Sequence, residues 1–515
     1  MKRKFLVKPI AAALGLTLVL TGCGGSWGLA DGTLSITGVK GDQMTQTVTG
    51  TQGTGELAPA FDEDNVVLTF GVMADAHVMS KDSHESSEDL MESMGHEDIE
   101  VAGDIAILAN TTFYTNDYIV KGLGFLEELA GGKLDCMVMP GDLTNTGSRD
   151  DAAKFNELFH EGLKNSEIPL IYSTGNHDEY AEGGGEGQYL LEMFDKEHYS
   201  ADIVTEGPNL SRHSVVNGIH FIQVNGENFE VGKTLYTKAA HEFLHEALKK
   251  AAEDAPGQPI FVIAHTGIPG TVAGSNCMAP DFPTLIWSTD ELRECLEEYP
   301  QVILLSGHTH YSQNSDRTIY QDDFTMLNIG PMQYMLTDYG FYNLGEGQST
   351  IPEEYSEHPQ AMLFDVDKNG TVRIRRYDIG LLEQQGETWY VKAPGFADSL
   401  SDFRANRAAK PGPVFENKDL AAETADGTIK LSFSRASGNG SQVWYYLVCA
   451  ENENGETVLE RKYHTDLFSA PQEEEMRDTW EIDLEGLAAG KYTVSVTACN
   501  VWNAMGETQT VEAEI

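Results

Sequence analysis

The sequence predicts an α/β layered domain followed by a small all-β sandwich, and three observations carry that expectation. Apolar runs of strand length, Val66–Met73, Leu134–Met139, Pro259–Ala264 and Val302–Leu305, with the shorter Pro169-Leu170-Ile171-Tyr172, are separated by segments of helical spacing. That alternation builds a layered α/β core. Each run is followed at once by residues able to hold a metal: Asp75-Ala76-His77, Gly141-Asp142-Leu143-Thr144-Asn145, Gly175-Asn176-His177-Asp178, Ala264-His265-Thr266 and Gly307-His308-Thr309-His310. Ligands at the ends of successive strands converge at one edge of a sheet. After Ala408–Pro413, with its Lys410-Pro411-Gly412-Pro413 break, the period changes to short strands with turn residues between them, as in a β-sandwich.

In order along the chain, Lys2-Arg3-Lys4 precede the apolar run Ile10–Leu20, which closes on Leu20-Thr21-Gly22-Cys23. So short a run reads as a secretory signal over residues 1–22. Its closing tetrapeptide resembles the bacterial lipobox, which implies cleavage before Cys23 and lipidation there; the alternative is an uncleaved apolar anchor. Either way the bulk of the chain is expected outside the cytoplasm, on a bacterial cell membrane. Residues 23–65, rich in Gly, Thr, Ser and Gln, read as a flexible tether reaching about 35 Å, in which Thr33–Val39 is a candidate edge strand.

The layered domain occupies residues 66–407, with its core over about 66–382. Asp104–Leu129 has helical spacing, and Ser148 opens a helix whose Phe155, Leu158, Phe159 and Leu163 share a face. Ser214–Phe221 reads as a hairpin turning at Asn217-Gly218 in a type I′ turn; Thr237–Ala252 and Thr289–Tyr299 read as helices. Lys81–Gly103 interrupts the pattern as a solvated insertion or a lid, and its His84 and His96 read as surface histidines. In the sandwich, residues 408–515, the expected strands are Ile429–Phe433, Val443–Cys449, Thr457–Lys462, Thr479–Leu484 and Tyr492–Ala498. Trp444 and Tyr446 read as core, or else as a sugar-stacking platform.

The formal net charge is −47, and removal of residues 1–22 takes away four basic residues and no acidic ones. Such a body offers no nucleic-acid surface, since phosphate backbones need Lys/Arg faces. Six cysteines make no disulfide framework: Cys136 and Cys295 look like core residues, and Cys449 and Cys499 are a candidate pair.

Singly, each of the five segments is weak; together and in this order they are specific. The chain resembles the calcineurin-like metallophosphoesterases, with all five motifs of that superfamily present over roughly Val66–Leu382, and the ending Gly490–Ala498 resembles the last strands of fibronectin type III modules. The first resemblance implies a layered αββα domain and a centre of two divalent or mixed-valence ions (Mn, Fe or Zn). Asp75, His77 and His310 would hold one ion, Asn176, His265 and His308 the other, and Asp142 would bridge them. Carboxylates, imidazoles and an amide oxygen without thiolates suit such ions. Two ions about 3.5–4 Å apart can acidify water and clamp a phosphoryl group, and they would supply the positive potential that so acidic a body otherwise lacks.

His177 is the expected stabiliser of developing charge and proton donor to the leaving oxygen, or else only an orienting neighbour of the metals. Asp178 either orients His177 or is an exposed turn carboxylate. Many protein phosphatases of the superfamily carry Gly-Asp-x-x-Asp-Arg-Gly. Here Asn145 and Thr146 stand in place of the Asp and the Arg, which removes a bidentate phosphate contact and points away from protein phosphatases; Asn145 is a candidate substrate-orienting residue. The expected activity is hydrolysis of a phosphomonoester or phosphodiester, with a small phosphoester as substrate and the sandwich free to contact the cell surface or another protein. The alternatives are a surface binding or adhesion protein with a vestigial phosphoesterase scaffold, and a purple-acid-phosphatase-like monoesterase, whose characteristic Tyr would belong where Asn145 stands.

Overall fold

The computed structural model describes residues 26–30, 33–38, 46–51, 60–80, 116–145, 147–165, 167–179, 201–230, 233–275, 289–335, 357–392, 410–468 and 476–515. The signal segment, Cys23, the insertion Lys81–Gly103 with its two histidines, the start of the helix expected over Asp104–Leu129, and Thr146 lie outside these residues.

Two seven-stranded sheets lie face to face. The first runs Glu383–Gln384, Val372–Asp378, Gln360–Asp367, Val66–Val72, Cys136–Pro140, Leu170–Ser173, with Trp389–Val391 also paired to Val372–Asp378. The second runs Ile319–Gln321, Thr325–Asn328, Val302–Ser306, Ile260–Ile263, Ile219–Gln223, Arg212–Val216, Asp202–Glu206. The strands that precede the five motifs are parallel within each sheet. Both faces of these strands are buried, so they read as continuous apolar runs rather than alternating ones. In Cys136–Pro140, for example, Cys136 and Val138 join the cluster between the sheets, while Met137 and Met139 join the one under the helices.

The gap between the sheets is filled by Leu, Val, Ile and four phenylalanines. Phe70 stands 5.4, 4.9 and 4.9 Å from Phe221, Phe261 and Phe364, ring centre to ring centre. The outer face of the first sheet is covered by a helix over residues 116–129 and by Arg149–Gly162. The outer face of the second is covered by Lys238–Asp254 and Thr289–Leu296. Layer order is therefore αββα. Caps set the helix starts: Ser148 Oγ accepts from Asp151 N, and Thr237 Oγ1 from Ala240 N. The hairpin turns at Asn217 and Gly218, both with positive φ (49° and 82°), as a type I′ turn requires.

In the second sheet, His213 and His220 form a buried pair, with His213 Nε2 2.7 Å from His220 Nδ1. Burial, then the neighbouring His220, pushes His213 down to about 4. An unfolded chain takes up a proton at the ordinary value of 6.5. Stability from this pair is thus full above about pH 6.5 and falls away as the pH drops toward 4. The expected loss is about 2 kcal/mol after allowing for partial screening by solvent. His213→Gln, which keeps a polar side chain that does not titrate, should flatten the dependence of melting temperature on pH across this window.

C-terminal to these layers, a three-stranded sheet (Ala421–Ala425, Thr428–Ser434, Thr479–Leu484) packs on a four-stranded one (Thr457–His464, Val443–Asn452, Lys491–Asn500, Met505–Glu514). Strands Ala421–Ala425 and Met505–Glu514 carry no apolar alternation in the sequence because each is an edge strand with mostly exposed side chains. Residues expected to be a free linker are packed here as well: Pro413 O accepts from Glu507 N, and Pro411 O from Asn500 Nδ2. Cys449 and Cys499 are both free thiols, which corrects their expected pairing. Cys449 lies opposite Ser495 and Cys499 opposite Tyr445. That offset of four residues is about 13 Å along the strand, beyond the reach of a disulfide.

Within the segment expected to be a tether, Ser26–Ala30, Thr33–Gly38 and Gln46–Thr51 form an antiparallel sheet of their own. Thr33–Gly38 is its central strand rather than an edge, in keeping with the alternation Leu34, Ser35, Ile36, Thr37. Among the described residues no helix is long and apolar enough to cross a membrane.

Candidate metal centre

All five motifs meet at one edge of the two sheets. The backbone there leaves extended geometry abruptly: Asp75, His77, Asp142, His308 and His310 have φ of 51°, 43°, 49°, 68° and 55°. Residues other than glycine seldom adopt this region, and such strain gathers at functional sites. It turns each side chain back across the strand ends. The first two motifs run side by side, with Asp75 N donating to Gly141 O, His77 N to Asp142 O and Val78 N to Leu143 O.

The glycines that precede ligands are needed for close approach. A Cβ on Gly141, whose φ is 89°, would lie 2.2 Å from His265 Nδ1, and one on Gly175 would lie 2.1 Å from Asp142 Oδ1.

The side chains form two clusters that share Asp142: Asp75, His77, Asp142 and His310, and Asp142, His265 and His308. Asp142 Oδ2 is 3.2 Å from His265 Nε2 and 3.7 Å from His77 Nε2, and its Oδ1 accepts from His177 N at 2.9 Å. Asp75 accepts from His308 N through both oxygens and lies 3.4 Å from His310 Nε2. Asn176 Oδ1 is 3.2 Å from His265 Nε2. The sequence-derived ligand set therefore meets in one place: two carboxylates, four imidazoles and one amide.

Two tautomers are set by the main chain. His265 Nδ1 donates to Pro140 O at 2.9 Å and His310 Nδ1 to Tyr334 O at 2.7 Å. A carbonyl only accepts, so in the neutral rings both Nε2 atoms present bare lone pairs. His310 Nε2 nevertheless faces His77 Nε2 at 3.1 Å, and His265 Nε2 faces His308 Nδ1 at 3.0 Å. Each contact is an N–H···N hydrogen bond or an approach of two lone pairs according to the tautomers of His77 and His308, and the donor set fits a borderline divalent metal.

Titration agrees with the geometry. Burial, followed by the electrostatic influence of neighbouring imidazoles, holds His77 and His308 well below the ordinary range, so both are neutral, as ligands must be. Burial alone would raise Asp142, but His265, His177 and His77 around it keep it well below the usual carboxylate range. Burial lowers His265, yet the Asp142 carboxylate outweighs this and brings it up to about 9. A proton therefore occupies this position until a metal competes for it.

His177 stands at right angles to His77, with ring centres 4.5 Å apart. Its Nδ1 donates to Asn145 O at 2.8 Å, which leaves Nε2 as the nitrogen that can exchange a proton. Burial pushes this imidazole below its ordinary value, partly offset by Asp142 and the Asn145 carbonyl. Asn145 thus enters the site through its main chain, in addition to any role of its amide.

Asp178 is neither an exposed turn carboxylate nor the group on His177 Nδ1. It is 2% exposed and accepts from Leu143 N, Thr144 N, Thr144 Oγ1 and Gly175 N, tying the second motif to the third. Burial and the charge of Asp142 push it up to about 6 against those donors.

Tyr334 was not legible in the sequence: it lies outside every motif. Its ring stacks on His310 at 4.1 Å while its carbonyl orients the same imidazole. Asn225, whose Oδ1 accepts from Thr174 N next to the third motif, gave no signal either. Pro140 could have been anticipated, since it directly precedes Gly141.

Residues 68–312, which span all five motifs, match the family model for calcineurin-like phosphoesterases. No curated protein matches the chain in sequence. Among solved structures, a purple acid phosphatase from yellow lupin (Lupinus luteus) seeds aligns at 11% identity and a TM-score of 0.40, covering 70% of this chain and 59% of that one. An FMN-binding β-glucuronidase from Facaelibacterium prausnitzii L2-6 aligns at 9% identity and a TM-score of 0.19, over 94% of this chain and 62% of that one. The chain thus spans about three-fifths of the length of these structures, and at such scores neither likeness carries an argument. Over residues 68–312, which hold the Asp/His centre, the chain is thus similar to calcineurin-like phosphoesterases.

Proposed function

We propose that this chain is an extracytoplasmic phosphoesterase, anchored to a bacterial membrane through lipid on Cys23, that hydrolyses small phosphodiesters or phosphomonoesters. The observation that carries the chemistry is the pair of facing imidazole contacts around a shared Asp142. Asp75, His77 and His310 would hold one ion, Asn176, His265 and His308 the other, with Asp142 between them. When bound, two divalent ions (Mn, Fe or Zn) polarise the phosphoryl group and lower the pKa of water.

The chain's own residues do the rest. Asp178 holds the second and third motif loops in register, and the Pro140 and Tyr334 carbonyls hold His265 and His310 with Nε2 turned toward Asp142 and Asp75. His177, oriented through Nδ1 by Asn145 O, would deliver a proton to the leaving oxygen from Nε2 once that nitrogen is protonated; burial lowers its affinity for that proton, so the donor form fills as the pH falls. The address is supported by the basic, apolar and Leu-Thr-Gly-Cys order of residues 2–23. The net charge of −47 disfavours nucleic-acid partners.

Metal-reconstituted protein assayed on aryl phosphate monoesters and aryl phosphate diesters should cleave at least one class, and the ratio of kcat/KM names the preferred one. No cleavage of either after Mn²⁺ or Fe²⁺ reconstitution would sink the enzymatic reading. Gly175→Ala provides a structural check. Its methyl group would clash with Asp142 Oδ1 and push that carboxylate aside, so bound metal per chain should drop by half or more, as read by elemental analysis.

A further inference from the structure

We propose that the C-terminal sandwich is a buttress for the metal centre and that Trp444 is a positioning residue acting through Tyr311 on His310. The inference rests on the metal assignments above. Tyr311 directly follows His310 in the chain. Its ring stacks on Trp444 of the sandwich, with centres 5.8 Å apart and planes 22° apart, and both residues are buried (5% and 4% exposed). Trp444 is therefore neither a sugar platform nor part of the sandwich's own core, which is built on Tyr446; it belongs to a separate apolar cluster between the modules, with Ala273, Tyr311, Tyr445 and Val501.

That cluster receives the loops that follow two ligand strands. Ala273 comes from the loop after His265, and Tyr311 from the loop after His308. The two loops are knitted together beneath it: Ala273 N donates to Arg317 O, and Arg317 Nε to Thr271 O. They also touch so closely that a Cβ on Gly274 would lie 2.7 Å from both Thr309 Cβ and the Tyr311 ring. From the sandwich, Gln442 clamps the end of the His308–His310 loop, its Oε1 accepting from Asp316 N and its Nε2 donating to Asn314 O.

His308 and His310 sit in left-handed backbone, a conformation that persists only where the surroundings over-determine it. The sandwich supplies that constraint. Residues that orient ligands from behind usually change metal affinity 10–100-fold when altered.

The test titrates Co²⁺ into metal-free full-length protein and follows visible absorption, with total metal counted by elemental analysis. Trp444→Ala should weaken one of two Co²⁺ binding steps at least tenfold and change its absorption envelope, while Trp444→Phe, which keeps an aromatic face on Tyr311, should restore both. Trp480→Ala removes a core residue of the sandwich; it should lower the melting temperature and leave both Co²⁺ steps unchanged. Gln442→Ala, at the rim of the interface, should weaken the same step as Trp444→Ala without unfolding the module. Unaltered Co²⁺ binding in both Trp444→Ala and Gln442→Ala overturns the proposal, as does an equal loss in Trp480→Ala, which would mark general destabilisation. Failure of the unmodified protein to bind Co²⁺ would instead overturn the metal assignments themselves, and this inference with them.

Discussion

Asp142→Asn should leave the chain with less than one bound metal in place of two and lower kcat by on the order of 10³-fold or more, since bound ions supply several kcal/mol to phosphoryl transfer. One oxygen of Asp142 lies within 3.7 Å of imidazoles from both clusters, and the other accepts from His177 N. The substitution removes the only charge the two clusters share. Its amide must also turn an N–H group either toward His265 and His77 or toward the His177 N–H, where an acceptor is required. Because Asn keeps the volume of Asp, the core beneath should hold. Elemental analysis of the purified variant beside the unmodified protein decides the matter, and a fully loaded, active variant would overturn the bridging role.

His177→Ala should separate chemistry from metal binding. The expected result is a fall in kcat of about 10²–10⁴-fold, the usual weight of a positioned proton donor, with metal content close to that of the unmodified protein. His177 reaches Asp142 through its main-chain N–H, which alanine retains. The side chain contacts Asn145 O and the His77 ring. Loss of a metal in this variant would make His177 a ligand and refute the assignment. Unchanged kcat with unchanged metal would reduce it to an orienting neighbour.

Much of the site was legible because its chemistry needs particular residue types at fixed offsets from strand ends. Asp75, Asp142, Asn176, His265, His308 and His310 each lie one to five residues past an apolar run, and parallel strands bring such positions to a common edge. The helices could be read from Ser148 as a cap and from apolar spacing. Edge strands such as Met505–Glu514 could not, since a strand solvated on one side and unpaired along one edge has little apolar pattern. Nor could Asp178 be placed, because a carboxylate in a turn looks the same in sequence whether it faces water or collects main-chain N–H groups.

By itself, then, the sequence determined the layered α/β architecture and the change to short strands, which follow from local periodicity, while its resemblance to the calcineurin-like family named the candidate ligands. Only the tertiary structure decided how those ligands are held. It set the tautomers of His265 and His310 through the carbonyls of Pro140 and Tyr334, oriented His177 through Asn145 O, and placed Trp444 behind Tyr311. These contacts join residues far apart in the chain, many of them through main-chain atoms that every residue carries. Such atoms leave no mark in a sequence, and only folding reveals which of them meet.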